Sequence, residues 1–384
     1  MLAKRTFIMP AVSLLGPGVL ADAGSEIKAL GLKKALLVSD AELTRLGLVK
    51  KVADVLDANG IGHVVFDKVM PNPTSACVHQ GADLYKAESC DFLVSLGGGS
   101  PQDAAKAIGI LAANGGDIRD YEGINKSAKK SPPIVAINTT AGTASEVTIN
   151  YVITDEKRHI KMVMVDKNSL ATLAVSDPEL MVGKPPALTA ATGMDALTHA
   201  VEAYVSTGAF DLSDALAFES IRLIAGNLEN AVKNGKDVEA RSGMGWASFV
   251  AGMSFNNAGL GYVHSMAHQL GGMYDLPHGV CNAVLLPHVE RFNAPACREK
   301  LARMAVALGV DTAGMDVEGA SEAALGAITE LNRRVGIPAG LKELGVREED
   351  IPEMAKNAMN DVCKGTNPRE VTLEDTIEIY KQAM

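Results

Sequence analysis

Cysteine is scarce in this chain, and the five present (Cys77, Cys90, Cys281, Cys297 and Cys363) are odd in number, scattered, and form no CxxC pair. That pattern excludes a disulfide framework and fits the reduced thiols of a cytoplasmic protein. No stretch reaches the roughly 20 apolar residues that a membrane span needs. The opening MLAKRTFIMPAVSLLGPG carries a basic pair, but Pro10 and Pro17 interrupt its apolar runs and no small-residue cleavage site follows. A signal peptide is therefore not expected. A basic excess is also missing: 36 Lys and Arg stand against 46 Asp and Glu, a formal net charge of −10. Such acidity argues against nucleic acid and against an anionic membrane surface as partners. Neither an internal repeat nor a low-complexity segment occurs. What remains, 47% hydrophobic and 21% charged over 384 residues, is an enzyme-sized globular chain. It is too long for one ordinary core, so two domains are expected.

The two halves differ in rhythm. Up to about residue 184, short β-rich apolar runs (KKALLVSD 33–40, GHVVFDKV 62–69, DFLVSLGG 91–98, PIVAINTT 133–140) alternate with helix-like segments at 47–59, 75–88 and 101–114. Strands separated by helices require parallel crossovers, hence a doubly wound α/β domain, with ATLAVSDPEL (171–180) as its last strand. After the doublet Pro185–Pro186, long amphipathic segments take over at 187–206, 210–234, 236–255, 262–272, 297–308 and 318–336. Strand-like runs nearly vanish, which predicts an all-α domain over 185–384 following an α/β domain over 1–184.

The usual dinucleotide fingerprint GxGxxG is absent. In its place DFLVSLGGGSPQDAAKAIGIL reads as strand, triple glycine and helix. Gly97, Gly98 and Gly99 let the backbone turn sharply and approach a ligand, because no Cβ intervenes. Ser100 is expected as the helix N-cap, Pro101 at the first helical position, and Asp103 in a capping-box-like spacing. Such a helix start, with free N–H groups and a positive dipole end, suits a pyrophosphate; a ligand-free βα turn has the same sequence. Asp40 ends the first strand, where a carboxylate accepts hydrogen bonds from an adenosine ribose and repels a 2′-phosphate, favouring NAD over NADP. A helix-cap aspartate is the plainer reading. TTAGTASE (139–146) follows PIVAIN and offers hydroxyls to a diphosphate or nicotinamide ribose, or is a plain loop. Three such features at the ends of successive strands mark the edge where open α/β sheets bind ligands.

Histidine is rare as well, with eight in all, yet His264, His268, His278 and His288 fall within 264–288. GMDALTHAVEAY places Asp195 and His199 four apart on one helix face. A carboxylate with three neutral imidazoles suits Fe²⁺ or Zn²⁺, whereas Ca²⁺ and Mg²⁺ prefer oxygen shells. Spacing does not choose among the histidines, since His264 and His268 form an i, i+4 pair that can ligate together. Cys281 is a soft ligand or small apolar packing; His288, beside Pro287, reads as structural; His63, His79 and His159 are isolated surface residues.

Six stretches carry a family resemblance that runs nearly end to end: VMPNPT (69–74), LGGGSPQDAAK (96–106), INTTAGTASEVT (137–148), PALTAATGMDALTHAVEAY (186–204), GYVHSMAHQLGG (261–272) and LPHGVCNAVLLPHV (276–289). The chain resembles the iron-containing (group III) alcohol dehydrogenases, in particular the lactaldehyde reductase and 1,3-propanediol dehydrogenase branches. The resemblance implies an N-terminal dinucleotide-binding α/β domain and a helical C-terminal domain of the dehydroquinate synthase-like type, with the active site in the cleft between them. It implies metal ligation by Asp195, His199, His264 and His278, leaving His268 near the nicotinamide as a proton relay. It implies NAD contacts at Asp40, Asn72, Gly97, Gly98, Gly99, Ser100, Thr139, Thr140, Thr143 and Lys161, and a substrate pocket at Asn150, Phe255 and Cys363. The activity so implied is direct hydride transfer between NAD and a small alcohol or diol, with Fe²⁺ (or Zn²⁺), in a homo-oligomer.

The same architecture hosts glycerol dehydrogenases and 3-dehydroquinate synthase. The latter must hold a phosphate-bearing substrate, but 186–204 and 261–289 contain neither Lys nor Arg. A non-enzymatic sensor of NAD or metal would have a degraded ligand set, and all four candidate ligands are present.

Overall fold

The computed structural model describes residues 4–158 and 160–384; His159 and the first three residues of the opening segment lie outside them. The chain divides into two compact units. One comprises Phe7–Thr140 and Ala144–Met181; the other is formed by Val182–Met384 with Ala141–Thr143 and N-terminal residues up to Thr6.

The first unit is doubly wound. Its main strands are β1 (Val12–Leu15), β2 (Lys34–Val38), β3 (Gly62–Phe66), β4 (Phe92–Gly97), β6 (Ile134–Asn138) and β9 (Leu173–Ser176), in the order β1-β9-β6-β4-β2-β3. All of these pairs are parallel, with Leu37 opposite Val94 and Gly97 opposite Asn138. Helices α1 (Leu20–Ala29), α2 (Ala41–Arg45), α3 (Leu48–Ala58), α4 (Ser75–Ala87) and α5 (Gly99–Asn114) supply the crossovers. β4 and β6 are buried along their whole length, as central parallel strands covered on both faces must be. Alternate side chains feed separate cores: Leu36, Val38, Leu93 and Ala136 join α4 and α5, while Ala35, Leu37, Val94 and Ile137 join α1 and α3. The chain lays β3 on one side of β2 and then β4 on the other, so strand order reverses between β2 and β4. A second sheet holds β5 (Gly123–Ile124), β8 (Ile160–Val165) and β7 (Asn150–Asp155), with β7 and β8 an antiparallel hairpin. Neither β1 nor this small sheet is among the strands expected above.

The second unit is helical: α6 (Pro186–Val205), α7 (Asp211–Lys233), α8 (Val238–Ala258), α9 (Tyr262–Tyr274), α10 (His278–Ala307), α11 (Val317–Arg334), α12 (Ile351–Ala358) and α13 (Leu373–Gln382). Pro186 at the first position starts α6, where its missing N–H is not needed. Small and apolar residues surround α6 on every side, and from Gly193 to Val205 it is buried without a break. The segment expected at 297–308 is the second limb of α10, which kinks at Cys297 (φ −138°, ψ 24°) just after Pro295. Its first limb, with Pro287 inside, was not anticipated, nor were α12 and α13. Among the described residues no helix is long and apolar enough to cross a membrane.

Candidate active site

In the α/β unit, the carboxyl ends of β2, β4 and β6 bring the expected cofactor residues to one edge. Asp40 follows β2 and the glycines follow β4, the two strands at which the order reverses, and that is where open sheets of this kind take nucleotides. Asp40 is the N-cap of α2, its Oδ1 accepting the Leu43 N–H at 2.8 Å, so the plainer helix-cap reading holds for one of its oxygens. Helix α5 begins two residues earlier than expected. Gly98 is its N-cap, with no side-chain cap bond, and Ser100 and Pro101 lie inside the first turn. The anticipated capping box does not form, because Asp103 faces inward: it accepts the Ser145 hydroxyl (2.8 Å) and the Val152 N–H (3.0 Å). Gly97 has φ +153°, and a Cβ on Gly98 would come within 2.9 Å of Thr140 Oγ1, so side chains are unwelcome at both.

Asn138 shapes the next turn by accepting the Thr140 N–H (3.0 Å) and donating to the Thr140 carbonyl (2.7 Å). The hydroxyl of Thr139 is buried without a hydrogen bond. Thr143 belongs to the helical unit. Lys161 donates to Asn72 Oδ1 at 2.9 Å, joining those two candidates. Asn150 opens β7, and its carbonyl accepts from the buried ammonium of Lys106 at 2.8 Å. Lys106 also donates to Ser145 (2.8 Å) and Thr148 (3.3 Å), fixing this segment to α5. Burial lowers the Lys106 pKa and raises that of Asp103, with their mutual attraction opposing both shifts.

In the helical unit, Asp195 and His199 on α6, His264 on α9 and His278 at the start of α10 converge. Ligand atoms of Asp195, His199 and His264 lie within 4.8 Å of one another, and His278 Nε2 is 3.6 Å from Asp195 Oδ1. Burial lowers the pKa of His199; burial, and then the neighbouring histidines, hold that of His264 well below the ordinary value. Both shifts favour the neutral ring that metal ligation requires. His199 stacks between Phe255 (4.4 Å) and His264 (4.6 Å), while its buried Nδ1 has no hydrogen-bond partner. Asn282 Nδ2 lies 2.7 Å from Asp195 Oδ1, 3.0 Å from His278 Nε2 and 3.2 Å from His264 Nε2. One amide has two hydrogens and cannot satisfy three acceptors. Lone pairs in excess of protons, aimed at one small volume, fit a divalent cation, and the N/O donor set fits Fe²⁺ or Zn²⁺.

His268 lies beside this cluster, stacked on His278 at 5.4 Å. Its Nδ1 is 2.8 Å from Asp361 Oδ2, and Asp361 Oδ1 accepts the Cys363 N–H at 2.9 Å. Of the remaining histidines, His63 and His79 lie near Asp57 (3.3 Å) and Asp117 (3.6 Å), and His288 is half-buried. Cys281 is fully buried. Sequence reasoning passed over Glu202, Asn282 and Asp361. Glu202 and Asp361 stand 62 and 93 residues from the histidines they touch, beyond any helical spacing rule. Two of them carried a signal: Asn282 stands four residues after His278 on α10, and Glu202 three residues after His199 on α6.

Two family models cover the chain: "Iron-containing alcohol dehydrogenase" matches residues 10–178, and "Fe-containing alcohol dehydrogenase family, C-terminal" matches residues 189–384. An NAD-dependent methanol dehydrogenase of Bacillus methanolicus is 49% identical over 378 residues, covering 98% of this chain and 99% of that one. A lactaldehyde reductase of Escherichia coli (strain K12) is likewise 49% identical over 378 residues, covering 98% of each. The crystal structure of a 1,3-propanediol oxidoreductase superposes with a TM-score of 0.98 at 48% identity over the whole of both chains.

Proposed function

Since this chain belongs to the iron-containing alcohol dehydrogenase family, we propose that it interconverts small primary alcohols or diols and their aldehydes, using NAD and one divalent metal ion. The observation that carries this reading is the convergence of Asp195, His199, His264 and His278, with the buried Nδ1 of His199 unpartnered. Relatives named for methanol and lactaldehyde, and a structural neighbour named for 1,3-propanediol, support short substrates.

Asp195, His199, His264 and His278 hold the ion, Fe²⁺ being favoured by the family and Zn²⁺ being the alternative. The ion supplies Lewis acidity to a substrate oxygen, and NAD supplies the hydride acceptor at its nicotinamide. Gly97, Gly98, Gly99 and Ser100 bring backbone N–H groups to the pyrophosphate, with Thr139, Thr140 and Thr143 adding hydroxyls. Asp40 takes the adenosine ribose, and the bonded pair Asn72 and Lys161 serves the nucleotide further out. Asp361, as a carboxylate, accepts from His268 Nδ1–H, which leaves Nε2 as an acceptor for the alcohol proton on its way to solvent. Phe255 and Cys363 form an apolar wall, and Asn150 offers a hydrogen bond to a second polar group of a diol. We place the enzyme in the cytoplasm, consistent with its free thiols, as a homo-oligomer.

Anaerobic purification with metal analysis and an NAD⁺-reduction screen over C2–C4 alcohols and diols test this reading. One equivalent of metal per chain is expected, with activity decaying in air and returning on addition of Fe²⁺ under reductant. His278→Ala should abolish turnover and leave the fold intact; a variant with undiminished metal content and rate refutes the ligand set.

A further inference from the structure

Glu202 lies on α6, seven residues after Asp195 and three after His199, and only 1% of it is exposed. Burial, and then the neighbouring Glu290, push its carboxyl pKa well above the ordinary value, and the hydrogen bonds that favour the carboxylate come from the start of α9. Glu202 Oε1 accepts the Val263 N–H at 2.6 Å and the His264 N–H at 3.4 Å, while Oε2 is hydrogen-bonded to His264 Nδ1. Gly261, the N-cap of α9, leaves room for this approach, since a Cβ there would come within 2.9 Å of Oε1. On the far side of the ring, His264 Nε2 faces Asn282 Nδ2 at 3.2 Å, the atom that also meets Asp195 and His278.

We propose that Glu202 is a positioning residue for the metal site: it holds His264 as the Nδ1–H tautomer, so that Nε2 presents its lone pair to the ion. The inference rests on the metal-site reading above. A neutral imidazole carries one ring proton, and the nitrogen that faces a carboxylate keeps it. The other nitrogen is then an obligatory acceptor, oriented before any metal arrives.

The competing explanation is that Glu202 merely caps α9. Glu202→Gln separates the two. Its amide oxygen can still take the backbone N–H groups of Val263 and His264, so the cap survives. The opposite orientation would set an NH₂ against those N–H donors. With the oxygen so engaged, the amide nitrogen faces His264 Nδ1 and donates to it, driving the ring proton to Nε2, where it obstructs metal binding.

The test is equilibrium binding of Zn²⁺ to the metal-free full chain, in competition with a chromogenic chelator, alongside ¹⁵N-histidine NMR of the metal-free protein. Glu202→Gln should melt with the wild type when metal-free, bind Zn²⁺ about 10- to 100-fold more weakly, and show His264 protonated at Nε2. The wild type should show it protonated at Nδ1. Undiminished Zn²⁺ affinity in the variant overturns the role of Glu202 while the metal site stands. Wild-type protein that takes up no Zn²⁺ overturns the metal-site reading and this inference with it. The wild-type tautomer is decisive even if the variant fails to fold, because Nε2–H there refutes the proposal.

Discussion

Asp40 serves two ends with one carboxylate: an oxygen caps α2, and the group stands at the sheet edge where the ribose is expected. Asp40→Gly separates them, because glycine at an N-cap costs only a few tenths of a kcal/mol. The same change removes a repulsion toward a 2′-phosphate worth on the order of 1–3 kcal/mol in a partly desolvated site. The variant should therefore remain folded and gain NADP⁺ turnover; an unchanged NAD⁺/NADP⁺ ratio dismisses the assignment. Phe255 combines roles in a similar way, since its buried ring stacks on His199 at 4.4 Å. Phe255→Ala should admit longer alcohols, raising their kcat/KM relative to propanediol, and should lower stability by about 3–5 kcal/mol through the cavity. Chain-length profiles that coincide in the two proteins would reduce Phe255 to a packing residue. Much of this candidate site could be read in the sequence, because Asp195 and His199 share a helix face and the other candidates cluster, although the choice among the histidines came from the family resemblance and not from spacing. Glu202 and Asp361 were not: each acts through a histidine far away in the chain, and only the packing of helices brings them together.

Elements show the same division. β4 and β6 were readable because central parallel strands are continuous apolar runs closed by glycine or asparagine. The hairpin β7–β8 was missed although β7 alternates buried and half-buried residues, for it lies directly after the polar TTAGTASE stretch and reads on from it as loop. The first limb of α10 was hidden by Pro287 and Pro295, which ordinarily end a helix. That limb also carries a pH-dependent contribution to stability. Burial raises the carboxyl pKa of Glu290 from 4.5 to about 8, and its Oε1 has no hydrogen-bond partner. A folded-state pKa above the unfolded one means that the folded protein holds the proton more tightly. The stability this contributes is complete below about pH 4.5 and is lost as pH rises through about 8. The melting temperature should thus decline between about pH 5 and pH 9, more steeply in the wild type than in Glu290→Gln. The difference should approach about 5 kcal/mol at the alkaline end. Parallel pH profiles for the two proteins would show that Glu290 does not titrate in this range.

For the whole molecule, the alternation of strands and helices followed by helices alone was enough to foresee one α/β unit and one helical unit, because the two periodicities are written in separate stretches of sequence. The candidate ligands respect that division. All four metal candidates lie on α6, α9 and α10 of the helical unit, whereas every NAD candidate except Thr143 belongs to the α/β unit. A ligand that binds only the folded state stabilises what it touches, by about 2.7 kcal/mol at a hundredfold excess over Kd. Amide hydrogen exchange should therefore resolve the two ligands on one chain. Chelating the metal should raise exchange in α6, α9 and the first limb of α10, whose buried donors then face one another without a cation. Adding NAD⁺ to the metal-free protein should slow exchange at the starts of α2 and α5 and in the turn after β6, and leave the metal helices nearly unchanged. If chelation instead loosens the sheet loops while α6, α9 and α10 keep their protection, the metal does not bind at Asp195, His199, His264 and His278, and the division of labour between the two units is wrong.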